Sequence, residues 1–233
     1  MITKRTKDLS EIDFSSGQSV LIDKESGWTS FDVVRKIRNT VGLKKVGHAG
    51  TLDPLATGLL ILCTGKNTKK IQQFQNLRKT YCGTILLGKT SDSFDLATEL
   101  KPGNANILPE REEILKAIES LTGEIEQIPP VYSALKKNGQ RLYKLAREGK
   151  TIELQPRKVL IYNFSLLGLD YPELNFEITC SKGTYIRSVA NDLGRILGCG
   201  AVLSSLRRTA IGQFRVDDAF KVDEFSQLVH KFR

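Results

Sequence analysis

Hydrophobic and polar positions along the chain repeat with two different periods. Apolar residues at helical spacing follow Thr29 and Ser30 and end at Gly42, which predicts a helix capped by one of those hydroxyls. The members of this stripe are Phe31, Val34, Ile37 and Val41. Similar stripes predict further helices over residues 67–75, 110–121, 184–197 and 222–230.

Strands are indicated where β-forming residues run together or alternate with polar ones. Alternation from Leu174 to Cys180 predicts a strand with one buried face. The other predicted strands span 19–23, 59–64, 79–88, 159–169 and 206–216, while 44–57, 90–107 and 123–155 show no usable period. Strand pairs joined by short turns, with helices between them, predict an α/β (α+β) fold with a mixed, largely antiparallel sheet flanked by helices. We expect one domain over residues 1–233.

Charge is distributed unevenly. The chain of 233 residues has a net charge of +9, yet residues 33–91 contain eleven basic residues against one acid, Asp53, for a net charge of +10. Residues 136–158 form a second basic block, and residues 92–126 are acidic. Such segregation predicts a face that binds a polyanion and a solvated back.

Composition argues against several other classes. Hydrophobic residues make up 40% of the chain, which is ordinary globular usage. No apolar run approaches the roughly 20 residues that span a bilayer, and the first 13 residues do not resemble a signal peptide, so we expect a cytoplasmic protein. Four cysteines without a CxxC pair and two histidines predict reduced thiols and no metal site.

Asp53 lies in a glycine-rich segment, GHAGTLDPLATG, over residues 47–58. Asp-Pro alone is typical of an ordinary turn, and the surroundings do not match a phosphate-binding loop. Within a basic segment, however, this carboxylate should stay ionised, which suits a nucleophile or a base. No second acid lies in the segment to complete the pair that a glycoside hydrolase needs.

Two other positions allow either a structural or a functional interpretation. Arg187 is predicted in the first turn of a helix, where the helix dipole disfavours a cation, and it lies off the apolar stripe. It is either a solvated arginine or a partner for a carboxylate or phosphate. Tyr81, in the KTY sequence that opens a predicted strand, is by position alone an ordinary half-buried β residue.

The segment 123–155 contains basic residues interleaved with Tyr132 and Tyr143. By default such residues are solvated surface charges, but aromatic and basic side chains together also suit contact with RNA. The basic residues of this predicted RNA-binding face are Lys136, Lys137, Arg141, Lys144 and Arg147. A short helix is predicted over 142–147.

Several long motifs occur together and in order. GHAGTLDPLATG, KTY, IPPVYSALKKNGQRLYKLAREG and CSKGTYIRSVANDLG, followed by LRR, closely resemble the TruB family of bacterial tRNA pseudouridine-55 synthases. The resemblance runs from Leu21 to about Asp218. It implies isomerisation of the uridine at position 55 in the TΨC arm of tRNA: the base is flipped out, the N1–C1′ bond breaks, and the uracil rejoins through C5. It implies neither a cofactor nor a metal.

The resemblance also assigns roles. It implies that Asp53 attacks either the ribose C1′ or the base, that Tyr81 stacks on the uracil and helps to remove the C5 proton, and that Arg187 pairs with the catalytic aspartate. Residues implied to contact the substrate are His48, which packs into the arm, Tyr185 and Leu206, which line the uridine pocket, and Lys24 of the first motif. Residues 123–155 match a thumb-like insertion that closes over the arm.

The chain departs from the family pattern at Glu25, where proline is usual, and at Thr98, where glycine is usual. Residues 1–233 leave no room for a C-terminal PUA-type RNA-binding domain, so we expect the TΨC stem-loop to carry recognition. We expect tRNA as the partner, no membrane, no obligate protein partner and a monomer. Alternatives are a non-catalytic RNA-binding or RNA-chaperone protein, a synthase acting on rRNA or directed by guide RNA, and a glycoside hydrolase.

Overall fold

The computed structural model describes residues 1–104, 106–133, 136–137, 140–141 and 154–232. The chain divides into two compact units, one formed by residues 1–81 and 206–233 and the other by residues 82–205. Both units contain strands and helices, and the strands Lys79–Leu87 and Ala201–Ile211 each contribute residues to both units.

The strands range from two residues to the fourteen of Arg157–Asp170. They are β1 (Ser19–Lys24), β2 (Val46–His48), β3 (Thr57–Thr64), β4 (Lys79–Leu87), β5 (Lys89–Thr90), β6 (Lys101–Pro102), β7 (Gly123–Gln127), β8 (Lys136–Lys137), β9 (Gln140–Arg141), β10 (Arg157–Asp170), β11 (Glu173–Cys180), β12 (Ala201–Ile211), β13 (Phe214–Arg215) and β14 (Phe220–Lys221). The helices are α1 (Phe14–Gly17), α2 (Ser30–Thr40), α3 (Ile71–Asn76), α4 (Arg111–Ser120), α5 (Ile186–Ile196) and α6 (Val222–Lys231), with 3₁₀ turns at Gly65–Lys70 and Val216–Asp218.

In the first unit, the strand order is β14-β1-β3-β12, with β2 paired to β3 and β13 to β12. β1 and β3 are antiparallel, whereas β14 runs parallel to β1 and β12 parallel to β3. Alternate residues of β1 and β3 enter two hydrophobic clusters, because helices or loops cover both faces of these strands. This explains why the two strands read as continuous apolar runs rather than as alternating patterns.

In the second unit, the strand order is β4-β11-β10-β7, and β10 pairs antiparallel with both β11 and β7. The predicted alternation in β11 is confirmed, since Leu174, Phe176, Ile178 and Cys180 are all buried. Phe176 meets Phe164 of β10 edge to face, with ring centroids 5.9 Å apart. The predicted mixed, largely antiparallel sheet flanked by helices is confirmed.

Helix α2 begins as its sequence predicts and buries a face rotated from the predicted one. Thr29 forms a capping box with Asp32, in which the Thr29 Oγ1 accepts from Asp32 N at 3.0 Å. Phe31, predicted in the apolar stripe, is 59% exposed. The prediction for Phe31 is wrong because Val33 and Val34 are both buried and move the centre of the buried face away from it.

Other differences concern pairing partners that are distant along the chain. β2 lies within the predicted loop 44–57, because Val46–His48 pairs with β3. β7 lies within the predicted irregular segment 123–155, because it pairs with β10. β12 begins at Ala201, five residues earlier than predicted, and turns at Gly212, whose φ is +56°. The predicted helix 142–147 lies outside the described residues.

Gly58 is required where β3 approaches β12. Its φ is +103°, and an added Cβ would lie 2.3 Å from the Arg208 carbonyl oxygen. We expect Gly58→Ala to lower the free energy of unfolding by about 2–5 kcal/mol, through a left-handed backbone and a forced separation of the strands. Denaturant titration followed by circular dichroism measures this.

The matched control is Gly27→Ala. Gly27 has a φ of +84°, but an added Cβ there has no atom within 4 Å in the described structure. Gly27→Ala therefore tests the backbone conformation alone, and we expect it to lower the free energy of unfolding by about 1–2 kcal/mol. Equal losses for the two variants would contradict the steric role of Gly58.

No helix among the described residues is long and apolar enough to span a membrane.

Candidate active site

The loop between β2 and β3 presents Asp53 as a half-buried side chain. Its backbone is fixed on one side by Ser30 of α2, whose Oγ accepts from Leu52 N at 2.9 Å and donates to Leu52 O at 3.2 Å. On the other side, the Asp53 carbonyl accepts from Ala56 N at 3.1 Å, which closes a turn directly after Asp53. The carboxylate is therefore carried by a segment held on both sides.

Arg208 of β12 lies beneath this loop and is 1% exposed. Its Nε donates to Leu59 O at 2.7 Å, and its Nη2 donates to Gly50 O at 3.1 Å. A buried cation that binds carbonyls fixes the course of the backbone at both ends of the loop. Sequence reasoning missed Arg208 as a site residue, although it ends the LRR motif.

Lys24, at the end of β1, is fully buried and holds the other side of the loop. Its Nζ donates to Trp28 O at 2.6 Å, to Glu25 O at 3.0 Å and to Pro54 O at 3.1 Å. The lysine thus fixes the residue that follows Asp53, while its implied contact with the substrate stays a prediction. Glu25, which replaces the usual proline, has its carbonyl held by the same ammonium group.

The pKa of Lys24 is lowered from 10.5 to about 8, mainly by burial, and the Asp53 carboxylate partly opposes this shift. The folded protein therefore releases this proton at a lower pH than the unfolded chain. Between about pH 8 and 10.5 the unfolded state binds more protons, so the contribution of Lys24 to the free energy of unfolding increases as the pH rises.

We expect the stability of the wild type relative to Lys24→Met to increase with pH across this window. Urea unfolding of both proteins at several pH values between about 7 and 10 measures the difference between their free energies of unfolding. Groups other than Lys24 titrate in both proteins, so their contributions cancel in this difference. A difference that stays constant over this range would show that the Lys24 pKa is not lowered.

His48, at the end of β2, is half-buried and pairs through its backbone with Leu62. Burial lowers the pKa of its imidazole, and the backbone of Gly50 partly opposes this. The ring is therefore neutral at pH 7, which suits packing against a base more than contact with a phosphate.

The other two predicted site residues of this unit lie on strands. Tyr81 on β4 is buried, with 9% of its surface exposed. Leu206 on β12 is half-buried, and its carbonyl accepts from the Thr57 Oγ1 at 3.5 Å. One residue further along, Arg207 donates to both carboxylate oxygens of Asp23, at 3.0 and 2.7 Å.

In the second unit, Arg187 lies in the first turn of α5 and is 4% exposed. The interpretation as a solvated arginine is therefore wrong. Its Nη1 donates to Ser93 O at 2.9 Å and its Nη2 to Tyr132 O at 3.1 Å, while its Nε lies 3.4 Å from the Asp95 Oδ2. The helix dipole penalty is offset by this carboxylate and by the two carbonyls.

Asp95 is itself held by hydrogen bonds within its own loop. The sequence did not predict that it would lie beside Arg187. Its Oδ1 accepts from Ser93 Oγ at 2.5 Å and from Ala97 N at 3.0 Å, leaving Oδ2 directed at Arg187. Thr98, in place of the usual glycine, accepts from Ser93 N through its hydroxyl at 3.1 Å. The departure at Thr98 therefore adds a contact that supports the loop.

Tyr185 precedes α5 and is half-buried. Of the predicted basic face, Lys136, Lys137 and Arg141 belong to the paired strands β8 and β9, whereas Lys144 and Arg147 lie outside the described residues. The role of this face stays a prediction, as do the expected pairing of Arg187 with Asp53 and the single-domain organisation.

Comparison with known families decides the class of this site. A family model described as "TruB family pseudouridylate synthase (N terminal domain)" matches residues 38–186, well over half of the chain. The chain belongs to the TruB family. A second model, "tRNA pseudouridylate synthase B C-terminal domain", matches residues 187–233. The TruB resemblance of the motifs is confirmed, and the protein is a pseudouridine synthase of the TruB type.

Individual relatives agree over nearly the whole chain. A tRNA pseudouridine synthase B of Flavobacterium johnsoniae is 45% identical, and the match covers 92% of this chain and 97% of that protein. One of Phocaeicola vulgatus is 46% identical, with coverage of 93% and 94%. Among solved structures, "Crystal Structure of a Cbf5-Nop10-Gar1 Complex" matches with a TM-score of 0.73 and 26% identity, covering 97% of this chain and 58% of that one.

Proposed function

We propose that this TruB-family protein isomerises the uridine at position 55 in the TΨC arm of tRNA, with Asp53 as the reacting carboxylate. The observation that carries the proposal is the support of the Asp53 loop. Two buried cations, Lys24 and Arg208, and the Ser30 hydroxyl fix its backbone. A carboxylate held in this way is preorganised for attack on a bound nucleotide.

The choice of tRNA is supported by the relatives and by the charge of the chain. The two bacterial relatives that match over nearly their full lengths are named for action on tRNA. The net charge of +10 in residues 33–91 supplies the basic side chains that phosphate contacts require. The segment 123–155 contributes further basic residues, and we propose that it contacts the same arm.

In the reaction, the N1–C1′ bond of uridine breaks and a C5–C1′ bond forms. The Asp53 carboxylate bonds transiently either to C1′ or to the uracil ring, and it leaves when C5 has bonded to C1′. C5 then loses a proton and N1 gains one, so the conversion needs no oxidant or reductant. We propose that Tyr81 stacks on the uracil and assists removal of the C5 proton, while Tyr185 and Leu206 line the pocket.

Flipping the target nucleotide costs a few kcal/mol in lost stacking and pairing. Aromatic side chains recover stacking energy when a base leaves its helix, which is the part proposed for Tyr81 and Tyr185. We propose that the neutral ring of His48 packs into the space that the flipped nucleotide leaves in the arm, and so also recovers stacking energy. We also propose that the protein acts in the cytoplasm as a monomer, a state that light scattering measures.

Tritium release from a tRNA transcript labelled at uridine C5 tests the proposed site of action. We expect release from the full transcript and from an isolated TΨC stem-loop, and none from a transcript in which uridine 55 is replaced by cytidine. Release that is unaffected by this replacement would show that another uridine is the target. Failure of the stem-loop alone would show that recognition requires more than the arm.

A further inference from the structure

Gln127, the last residue of β7, is fully buried and binds the main chain of Tyr185 twice. Its Nε2 donates to Tyr185 O at 3.1 Å, and its Oε1 accepts from Tyr185 N at 2.8 Å. A primary amide matches this pair of backbone groups, since it offers one donor and one acceptor side by side. The backbone of Tyr185 is therefore fixed by a residue 58 positions away in the chain.

This contact lies directly before the first turn of α5. Tyr185 is the residue before the first turn of α5, and among the described residues its own side chain caps no backbone N–H of the helix. The first N–H groups of a helix lack intrahelical partners, and burial without a partner is costly. Gln127 satisfies one such group, the Tyr185 N–H, at the start of α5.

Arg157, the first residue of β10, holds the side chain of the same tyrosine. Its guanidinium carbon lies 4.8 Å from the centroid of the Tyr185 ring, within the range of a cation–π contact. Its Nη2 also donates to Gly183 O at 2.9 Å, which fixes the guanidinium over the ring. The Tyr185 backbone is thus held by Gln127 and the ring by Arg157.

The two residues are direct partners in the pairing of β7 with β10. They lie 30 positions apart in the chain, and both contact Tyr185. Tyr132, five residues after Gln127, contacts the first turn of α5, because its carbonyl accepts from Arg187 Nη2 at 3.1 Å. Tyr185 and Arg187 are therefore both contacted by residues between Gln127 and Tyr132.

We propose that Gln127 and Arg157 are positioning residues for uridine isomerisation: together they orient Tyr185 in the uridine pocket. The proposal rests on the proposed function, in which Tyr185 lines that pocket. Neither residue reacts with the substrate. Their loss therefore affects the rate of the bound complex rather than the affinity for tRNA.

Single-turnover pseudouridine formation at saturating tRNA tests this, together with the Kd for tRNA. Gln127→Leu removes both hydrogen bonds, and Arg157→Gln removes the cation from the ring. We expect each to slow the single-turnover rate by about 10- to 100-fold, the effect of a small misplacement in an active site, while the Kd changes by less than about threefold. Arg157→Lys keeps a cation above the ring and should restore most of the rate.

Gln127→Glu gives a sharper readout. Protonated, the introduced carboxyl can still donate to Tyr185 O and accept from Tyr185 N, but its ionised form has no donor and faces a carbonyl oxygen. The rate of this variant divided by that of the wild type should therefore rise as the pH falls. Thermal unfolding at each pH ensures that all proteins remain folded at the assay temperature.

The matched control is Ser188→Ala. The Ser188 Oγ donates to Ile128 O at 2.9 Å, so this variant loses a hydrogen bond at the same junction without touching Tyr185. We expect it to keep the wild-type rate. The proposal is overturned if Gln127→Leu reacts at the wild-type rate, or if Ser188→Ala is as slow as Gln127→Leu. If Gln127→Leu does not fold, the rate of Arg157→Gln is compared with the wild type in its place. An inactive wild type would instead reject the proposed function.

Discussion

Asp53→Asn is expected to reduce the single-turnover rate of pseudouridine formation by at least about 10⁴-fold, because the amide can neither bond to C1′ nor add to the uracil. The replacement preserves the shape of the side chain. The loop around it is held through backbone groups, including the bond from Ala56 N to Asp53 O. The fold and the affinity for tRNA should therefore be retained.

Filter binding to tRNA and thermal unfolding are the controls for this variant. A Kd within about threefold of the wild type and an unchanged melting temperature assign the lost activity to the chemical step. The alternative of an RNA-binding or RNA-chaperone protein on the same fold predicts tRNA binding but no pseudouridine formation by either protein. A variant that retains the wild-type rate would show instead that Asp53 is not the reacting carboxylate.

Arg187→Lys is expected to lower the rate by about 10²-fold or more. A lysine ammonium on a flexible chain cannot reach Ser93 O, Tyr132 O and the Asp95 carboxylate together, as the guanidinium does. Buried acceptors would be left without donors, so the melting temperature should also fall. Single-turnover kinetics and calorimetry measure the two effects.

Asp95→Asn separates position from charge at the same site. The amide keeps the shape of the side chain but removes the negative charge beside the Arg187 Nε. We expect a smaller loss of rate than for Arg187→Lys. In the double variant, which carries both substitutions, the fold-loss of rate should be smaller than the product of the two single fold-losses. Asp92→Asn is the matched control, because Asp92 is an exposed acid that pairs with Lys101 at the surface. Independent, multiplicative losses would show that Asp95 does not act through Arg187.

Local patterns in the sequence predicted most of the longer elements and the candidate loop around Asp53. The stripe after Thr29 and the alternation in β11 depend on neighbours within a few residues, and both predicted their elements. Asp53 was identified because it is the sole acid of a basic, glycine-rich segment, which is a property of composition. The family motifs then assigned roles to residues that position alone left open, such as Tyr81 and Arg187.

Contacts between distant parts of the chain could not be predicted in this way. Arg208 fixes carbonyls about 150 positions away, and Gln127 binds Tyr185 across 58 positions. β2 and β7 are too short for a periodic pattern, so they become strands only where β3 and β10 offer partners. The burial of Arg187 likewise depends on Asp95, which no local pattern connects to it.

The most direct test maps pseudouridine in an unmodified tRNA transcript after incubation with the wild type or with Asp53→Asn, by carbodiimide labelling and primer extension. Our account predicts complete conversion at position 55 with the wild type and none with the variant. Absence of pseudouridine with the wild type, modification at another position, or equal conversion by the two proteins would contradict it.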